Sequence, residues 1–259
     1  VVPLLIVVLI AIIGPFVVPF DPEKVVGGTA LAPGGEFIFG TDSAGMDVFS
    51  RTVVATRTDL IIAVCVSLIA TVLGMALGLL IGMNESSRAV QGILARGGAR
   101  AMDLMEAVPA VLIGLVIIAF FGANVVTLIL VLGITQVPIQ SRLVRTEVLK
   151  VRRDAYLDAG RMAGMTELRL TLTHVLPNSI KPAWENAPVV FAIAIILTSA
   201  LGFIGAGLPP PAPEWGSMIS RGAADAATGR WWSAGIPALA LAITVAAVSV
   251  AATFRTTKK

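Results

Sequence analysis

The run Leu60–Met83 is 24 residues long and contains neither a charged side chain nor a proline. As a helix it reaches roughly 36 Å at about 1.5 Å per residue, enough to cross the ~30 Å hydrocarbon core of a bilayer. Five more apolar runs accompany it: Val1–Val18, Leu104–Phe121, Val125–Ile139, Ala183–Ala206 and Trp232–Phe254. They are continuous and do not alternate in polarity, so they read as transmembrane helices and not as barrel strands. The fourth is short and holds Pro138, which predicts either a kink or a helix continuing through Leu149. Composition agrees: 14% of residues are charged, against about 25% in a soluble domain. The fold expected is an all-α, six-span polytopic protein forming one transmembrane domain over residues 1–259.

The basic residues divide unevenly between the connecting segments. Segment 84–100 holds Arg88, Arg96 and Arg100. Segment 142–182 holds Arg142, Arg145, Lys150, Arg152, Arg153, Arg161, Arg169 and Lys181, and the tail adds Arg255, Lys258 and Lys259. The opposite side has only Lys24, Arg51, Arg57, Arg221 and Arg230. The positive-inside rule then puts 84–100, 142–182, 255–259 and both termini in the cytoplasm, with 21–55 and 207–231 outside. The net charge of +3 is a topology signal, and nucleic-acid binding is excluded. Trp184, Trp231 and Trp232 lie near span ends, as headgroup anchors do. The chain opens on Val, so a native N-terminal tail is expected to precede it. Val1–Val18 lacks a small-residue cleavage site and reads as a retained span. The single cysteine, Cys65, permits no internal disulfide and reads as a packing residue.

The 142–182 segment has internal structure. Asp154 is placed to cap a short helix whose apolar side chains are Tyr156, Leu157 and Met162. Gly164 stops that helix at a position suited to positive φ. Thr166 starts a second helix with Glu167 in its first turn, and Leu176-Pro177-Asn178 ends it before the next span. A short amphipathic helix standing off the membrane on a glycine hinge suits docking into a partner's groove.

Asp158-Ala159-Gly160, three residues, Gly164 and the downstream Leu176-Pro177 resemble the EAA loop of importer permeases in the ATP-binding-cassette family. Asp158 replaces Glu and keeps the charge. Gly160 replaces the second Ala, which lowers helix propensity by about 0.8–1 kcal/mol. Phe39-Gly40-Thr41-Asp42-Ser-Ala-Gly45-Met46-Asp47-Val-Phe-Ser-Arg51 resembles the G-T-D-x-x-G-R-D-V-x-S-R element of dipeptide, oligopeptide and nickel permeases, with Met46 where Arg is usual. Leu201 to Met218, through Pro209-Pro210-Pro211 and Glu214-Trp215-Gly216, resembles a further stretch of the same group. The resemblance covers most of residues 1–254 and is nearest to the second permease of a dipeptide importer. The family's usual segment after the last span is not recognisable.

The resemblance implies the type I importer fold in a bacterial cytoplasmic (inner) membrane, surrounded by lipid. Implied partners are a second homologous permease, two ATPase subunits carrying Mg-ATP, and an extracellular or periplasmic substrate-binding protein. It assigns Tyr156, Leu157, Asp158, Ala159, Gly160, Gly164, Leu176 and Pro177 to the ATPase-coupling loop. It assigns Gly40, Thr41, Asp42, Gly45, Asp47, Arg51, Pro210, Trp215 and Gly216 to the outer family element. This chain is then not an enzyme and holds no cofactor or metal of its own. It has no G-x-x-x-x-G-K-[ST] to bind ATP, and its lone His174 has no nearby Cys or second His. Asp42 and Asp47 read as acids of an outer turn held with Thr41 and Arg51.

A secondary transporter is the rival from another class, and it needs ionisable groups at mid-bilayer. The span cores carry none, since Asp59, Asp103, Glu106 and Glu185 fall near predicted ends. Gln136, Gln140, Asn186, Thr198 and Ser199 are the polar candidates for a transport path by alternating access. The cargo stays open between dipeptides, longer oligopeptides, nickel chelates and haem.

Overall fold

The computed structural model describes residues 2–256. Val1 and residues 257–259, with the Lys258 and Lys259 charges counted above, lie outside the described residues, as does the side chain of Arg255. The helices are α1 (Val2–Val17), α2 (Val48–Asn84), α3 (Val90–Ala107), α4 (Ala110–Phe121), α5 (Val125–Thr135), α6 (Val137–Val151), α7 (Ala155–Met162) and α8 (Glu167–Leu170). After a π-helical turn at Thr171–Val175 come α9 (Leu176–Ser179), α10 (Lys181–Phe203), α11 (Trp215–Ala227) and α12 (Trp232–Thr256). Among the described residues, β-pairing is limited to the isolated bridges Gly34–Phe37 and Thr41–Asp47.

Four helical stretches are long and apolar enough to cross a membrane: Val48–Asn84, Val125–Val151, Lys181–Phe203 and Trp232–Ala252. The α3–α4 pair makes a fifth when counted as one broken span, and α1 is apolar but shorter. Several boundaries differ from expectation. The second span begins at Val48, because Asp47 accepts the Ser50 amide at 2.7 Å and caps the helix there. Its 37 residues extend about 55 Å. The run Leu104–Phe121 is not one helix. Pro109 bars its predecessor from helical geometry, Val108 is extended at φ −89°, ψ 126°, and the run divides into α3 and α4. The fourth run breaks at Gln136 and resumes as α6 through Val151.

The chain forms two compact units. One comprises the described residues up to Cys65, Val111–Leu132, and the described residues from Phe191 on. In it α11 packs on α12, and Gly114 of α4 approaches Leu201 of α10. The other comprises Val66–Ala110 and Gly133–Val190. Its core joins Val144, Val148 and Val151 of α6 to Leu157, Leu170, Val175 and Ala183, with Met75, Leu79 and Met83 of α2 packed against it. Gly74, Gly78 and Gly82 bring α2 against α6 so closely that a Cβ on each would collide with Gln140, with Ser141 and Val144, or with Val148.

Candidate functional site

The loop after α6 folds as a helical hairpin onto the core of its unit. α7 follows Asp154, which is extended (φ −76°, ψ 132°) but makes no side-chain cap bond. Leu157 is 1% exposed and Leu170 of α8 is 1% exposed. Burying such a side chain stabilises by about 1.5–3 kcal/mol. The helix therefore does not stand off on a hinge; Leu157 and Leu170 hold it down. Gly164 does turn the chain, at φ +82°. Thr166 caps α8 by accepting the Arg169 amide at 3.4 Å.

Gly160 has a packing reason: a Cβ there would lie 2.7 Å from Leu170 Cδ2. Arg161 spans the turn. Its Nη1 donates to Asp158 Oδ1 at 2.7 Å, and its Nε donates to Glu167 Oε1 at 2.7 Å. The hydrogen bond from Arg161 lowers the Glu167 pKa below its ordinary value, and Glu167 and then Asp158 raise that of Arg161. Tyr156 meets His174 edge to face, with centroids 5.9 Å apart. The exposed apolar groups of the hairpin are Met162 at 85%, Leu168 at 70% and Tyr156 at 44%.

Leu176-Pro177 does not end a helix as expected. The chain passes through a π-helical turn at Thr171–Val175 into α9, where Pro177 occupies a first-turn position. The helical path is continuous here, the Leu176 amide bonding the Thr171 carbonyl, and the wider π turn accommodates a proline that has no amide to donate. Ala159 lies exposed on α7.

The Phe39–Arg51 family element folds as a tight turn. Thr41 Oγ1 donates to the Gly28 carbonyl at 2.6 Å and accepts the Leu31 amide at 2.8 Å. Asp42 Oδ1 accepts the amides of Ala44 and Met46, both at 2.9 Å. Gly40 and Gly45 adopt positive φ. The Arg51 side chain is wholly buried. It donates through Nη1 to the carbonyls of Pro22 at 2.6 Å and Pro211 at 3.1 Å, and its Nε lies 3.6 Å from Asp42 Oδ2. Met46 Sδ sits 2.8 Å from the same Nη1, in the place where the family's arginine is usual. The two family stretches thus converge on Arg51, next to the Pro210–Pro211 cis peptide. Trp232 joins them through Nε1, which donates to the Thr41 carbonyl at 3.1 Å.

Trp215 is fully buried. Its indole N–H donates to the Thr52 carbonyl and its amide to Asp59 Oδ2, both at 3.1 Å. Gly216 lies against the Ser199 backbone.

Two of the polar path candidates, Gln140 and Asn186, meet. Gln140 is buried among α2, α6 and α10: its Nε2 donates to Thr71 Oγ1 at 2.8 Å and to the Ala183 carbonyl at 3.2 Å. Asn186 donates to Gln140 Oε1 at 3.3 Å. Gln136, Thr198 and Ser199 are also buried, so of the five only Asn186 is partly exposed.

Several basic residues are tied down by contacts that composition does not reveal. Arg145 bonds Glu85 with both Nε (2.8 Å) and Nη2 (2.5 Å), and Arg142 pairs with Asp103 and Glu106. Arg152 donates to the carbonyls of Gly82 and Met83, at 3.1 and 2.6 Å, near the end of α2. Sequence reasoning did not foresee α11, nor that Asp59 and Glu214, both named above, are buried. Glu is not among the preferred N-cap residues, so the cap that Glu214 places on α11 left no local mark. The four-residue spacing of Gly74, Gly78 and Gly82 does signal close helix approach.

Comparison with known proteins matches residues 74–256 to the family described as binding-protein-dependent transport system inner membrane component. The di/tripeptide transport system permease protein DppC of Pseudomonas aeruginosa is 34% identical over 254 residues, covering 95% of this chain and 82% of that protein. The dipeptide transport system permease protein DppC of Escherichia coli is also 34% identical, covering 95% and 82%. The probable D,D-dipeptide transport system permease protein DdpC of Escherichia coli is 31% identical, covering 91% and 77%. Among solved structures, the inward-facing MetNI methionine ABC transporter aligns with a TM-score of 0.64 at 17% identity, covering 78% of this chain and 93% of that one. At that identity the likeness speaks for the fold, which is that of a type I ABC importer permease. This chain is a member of the family of inner-membrane components of binding-protein-dependent transport systems.

Proposed function

We propose that the chain is the non-catalytic permease subunit of an ATP-driven importer that carries dipeptides or other small peptides into the cytoplasm by alternating access. The observation that carries this reading is the α7–α8 hairpin. It is anchored inward by Leu157 and Leu170 and offers Tyr156, Met162 and Leu168 outward. An anchored helix with an exposed apolar tip transmits a push from a partner into α2 and α6, where its core residues pack. The reading includes two ATPase subunits holding Mg-ATP, a second permease chain, an external binding protein, and both termini in the cytoplasm. Peptide cargo is supported by the names of the relatives; longer oligopeptides, nickel chelates and haem are the alternatives.

The test is reconstitution in vesicles with the cognate permease, ATPases and binding protein. ATP-dependent accumulation of a labelled dipeptide is the expected result. Accumulation of a nickel chelate or haem in its place would reassign the cargo. Peptide uptake driven by an ion gradient without ATP would overturn the class.

A further inference from the structure

Two carboxylates, Asp59 of α2 and Glu214 ahead of α11, meet at one helix start. Both residues have no solvent exposure. The first three amides of α11 are each taken by an oxygen of this pair. Trp215 donates to Asp59 Oδ2 at 3.1 Å, Gly216 to Glu214 Oε1 at 2.6 Å and Ser217 to Glu214 Oε2 at 2.8 Å. Three of the four carboxylate oxygens are therefore acceptors. The fourth, Asp59 Oδ1, is buried with no hydrogen-bond partner. The surroundings are tight, since a Cβ on Gly202 or Gly207 would press into Glu214 Oε2.

Among the described residues, no cation forms an ion pair with either carboxylate. Arg221, one turn along α11, donates Nε to the Ser217 carbonyl at 3.2 Å and Nη2 to Ser217 Oγ at 3.3 Å. Arg51, two turns earlier on α2, is committed to Pro22 and Pro211 and has Asp42 as its ion-pair partner. The stretch Phe191–Phe203 of α10, which packs here through Ser199 and Gly202, has no ionisable side chain. What remains is the start of α11, worth about half a positive charge, and the more distant charge of Arg221, against two buried negative ones. Buried like charges at one site are relieved when one group keeps its proton.

We propose that Asp59 and Glu214 form a proton-binding site, holding one proton between them at neutral pH and locking the start of α11 to α2 while it is held. Asp59 Oδ1, the one oxygen of the pair that accepts no hydrogen bond, is the atom left to carry that proton. Burial also pushes the Glu214 carboxyl above its usual range, against the pull of the Ser217 and Gly216 amides and the Arg221 charge. The sign follows. The pair's stabilisation is present at low and neutral pH and is lost as pH rises and the second charge appears. The inference is independent of what the protein transports.

Infrared difference spectra of the full chain with its partner subunits in lipid nanodiscs test this. The expected result at pH 7 is a carbonyl stretch of a neutral carboxylic acid. It shifts on carbon-13 labelling of Asp or Glu and fades as pH is raised. Asp59→Asn keeps an acceptor for the Trp215 amide without needing the proton, and Glu214→Gln removes the other acid. The band should vanish in both. The apparent melting temperature should fall with rising pH in the parent and stay level in Asp59→Asn. A parent without the band overturns the proposal, as does a band that survives both substitutions. The labelled parent decides the matter alone where a variant fails to assemble.

Discussion

At Asp158 the carboxylate meets Arg161 one turn away, while the same guanidinium holds Glu167 across the Gly164 turn. Each of these pairs is largely exposed and contributes little to stability, about 0.2–1 kcal/mol for such a pair; together they set the direction of the acid. The lowered Glu167 pKa means this bridge persists above the ordinary carboxylate range and opens only as pH falls below it. Asp158→Arg puts two guanidiniums side by side and leaves Glu167 to balance both. Where a partner's basic group meets the acid, losing one member of a close pair costs about 2–5 kcal/mol. The expected outcome is normal insertion with at least tenfold loss of substrate-stimulated ATP hydrolysis in the reconstituted complex; unaltered stimulation would remove Asp158 from the coupling surface. Gly164 gives a separate test. It has open space around it but φ +82°, so a side chain there is strained by backbone alone, about 1–2 kcal/mol. Gly164→Val should uncouple transport from hydrolysis and Gly164→Asn, which tolerates that region, should retain it. Equal activity of the two would show that the turn's geometry is not what matters.

At the scale of elements, α2 is the member to perturb. Its Gly74, Gly78 and Gly82 edge lies against α6, while Leu68 and Val72 are 54% and 47% exposed. Without a hydrophobic drive between helices in lipid, close backbone approach supplies much of the association. A larger side chain at Gly78 meets the Ser141 carbonyl, a backbone atom that cannot rotate away. Gly78→Leu should therefore destabilise by about 1–3 kcal/mol or more, read as a lower melting temperature of the solubilised complex. Val72→Ala on the exposed face should stay within about 0.5 kcal/mol. A Gly78→Leu protein that melts with the parent would refute the packing described for this pair.

For the whole molecule, the proposed orientation rests on the distribution of basic side chains, several of which the structure ties to acids and carbonyls. With Cys65→Ser as background, single cysteines at the exposed positions Thr29, Ser86 and Thr228 report the sidedness. An impermeant thiol reagent on intact cells should label Thr29→Cys and Thr228→Cys and spare Ser86→Cys. Labelling at Ser86→Cys, or protection of both others, would reverse the orientation.

The amino-acid sequence by itself determined the helical membrane class, the family, and the Gly164 turn. Continuous apolar runs admit one backbone solution in lipid, and a turn at positive φ selects glycine, so both leave local marks. Pro109 also leaves one, and the break in the third span was legible there but went unread. Tertiary structure alone decided which loop residues are anchors. Leu157 and Met162 look alike in an amphipathic helix, yet one is buried and the other 85% exposed, because only the fold brings α6 and α2 against one side. It also decided that Arg51 joins two family stretches 160 residues apart, and that Asp59, 156 residues from Trp215 in the chain, meets the start of α11. Long-range pairing of polar groups depends on where helices cross, and nothing in local periodicity encodes a crossing.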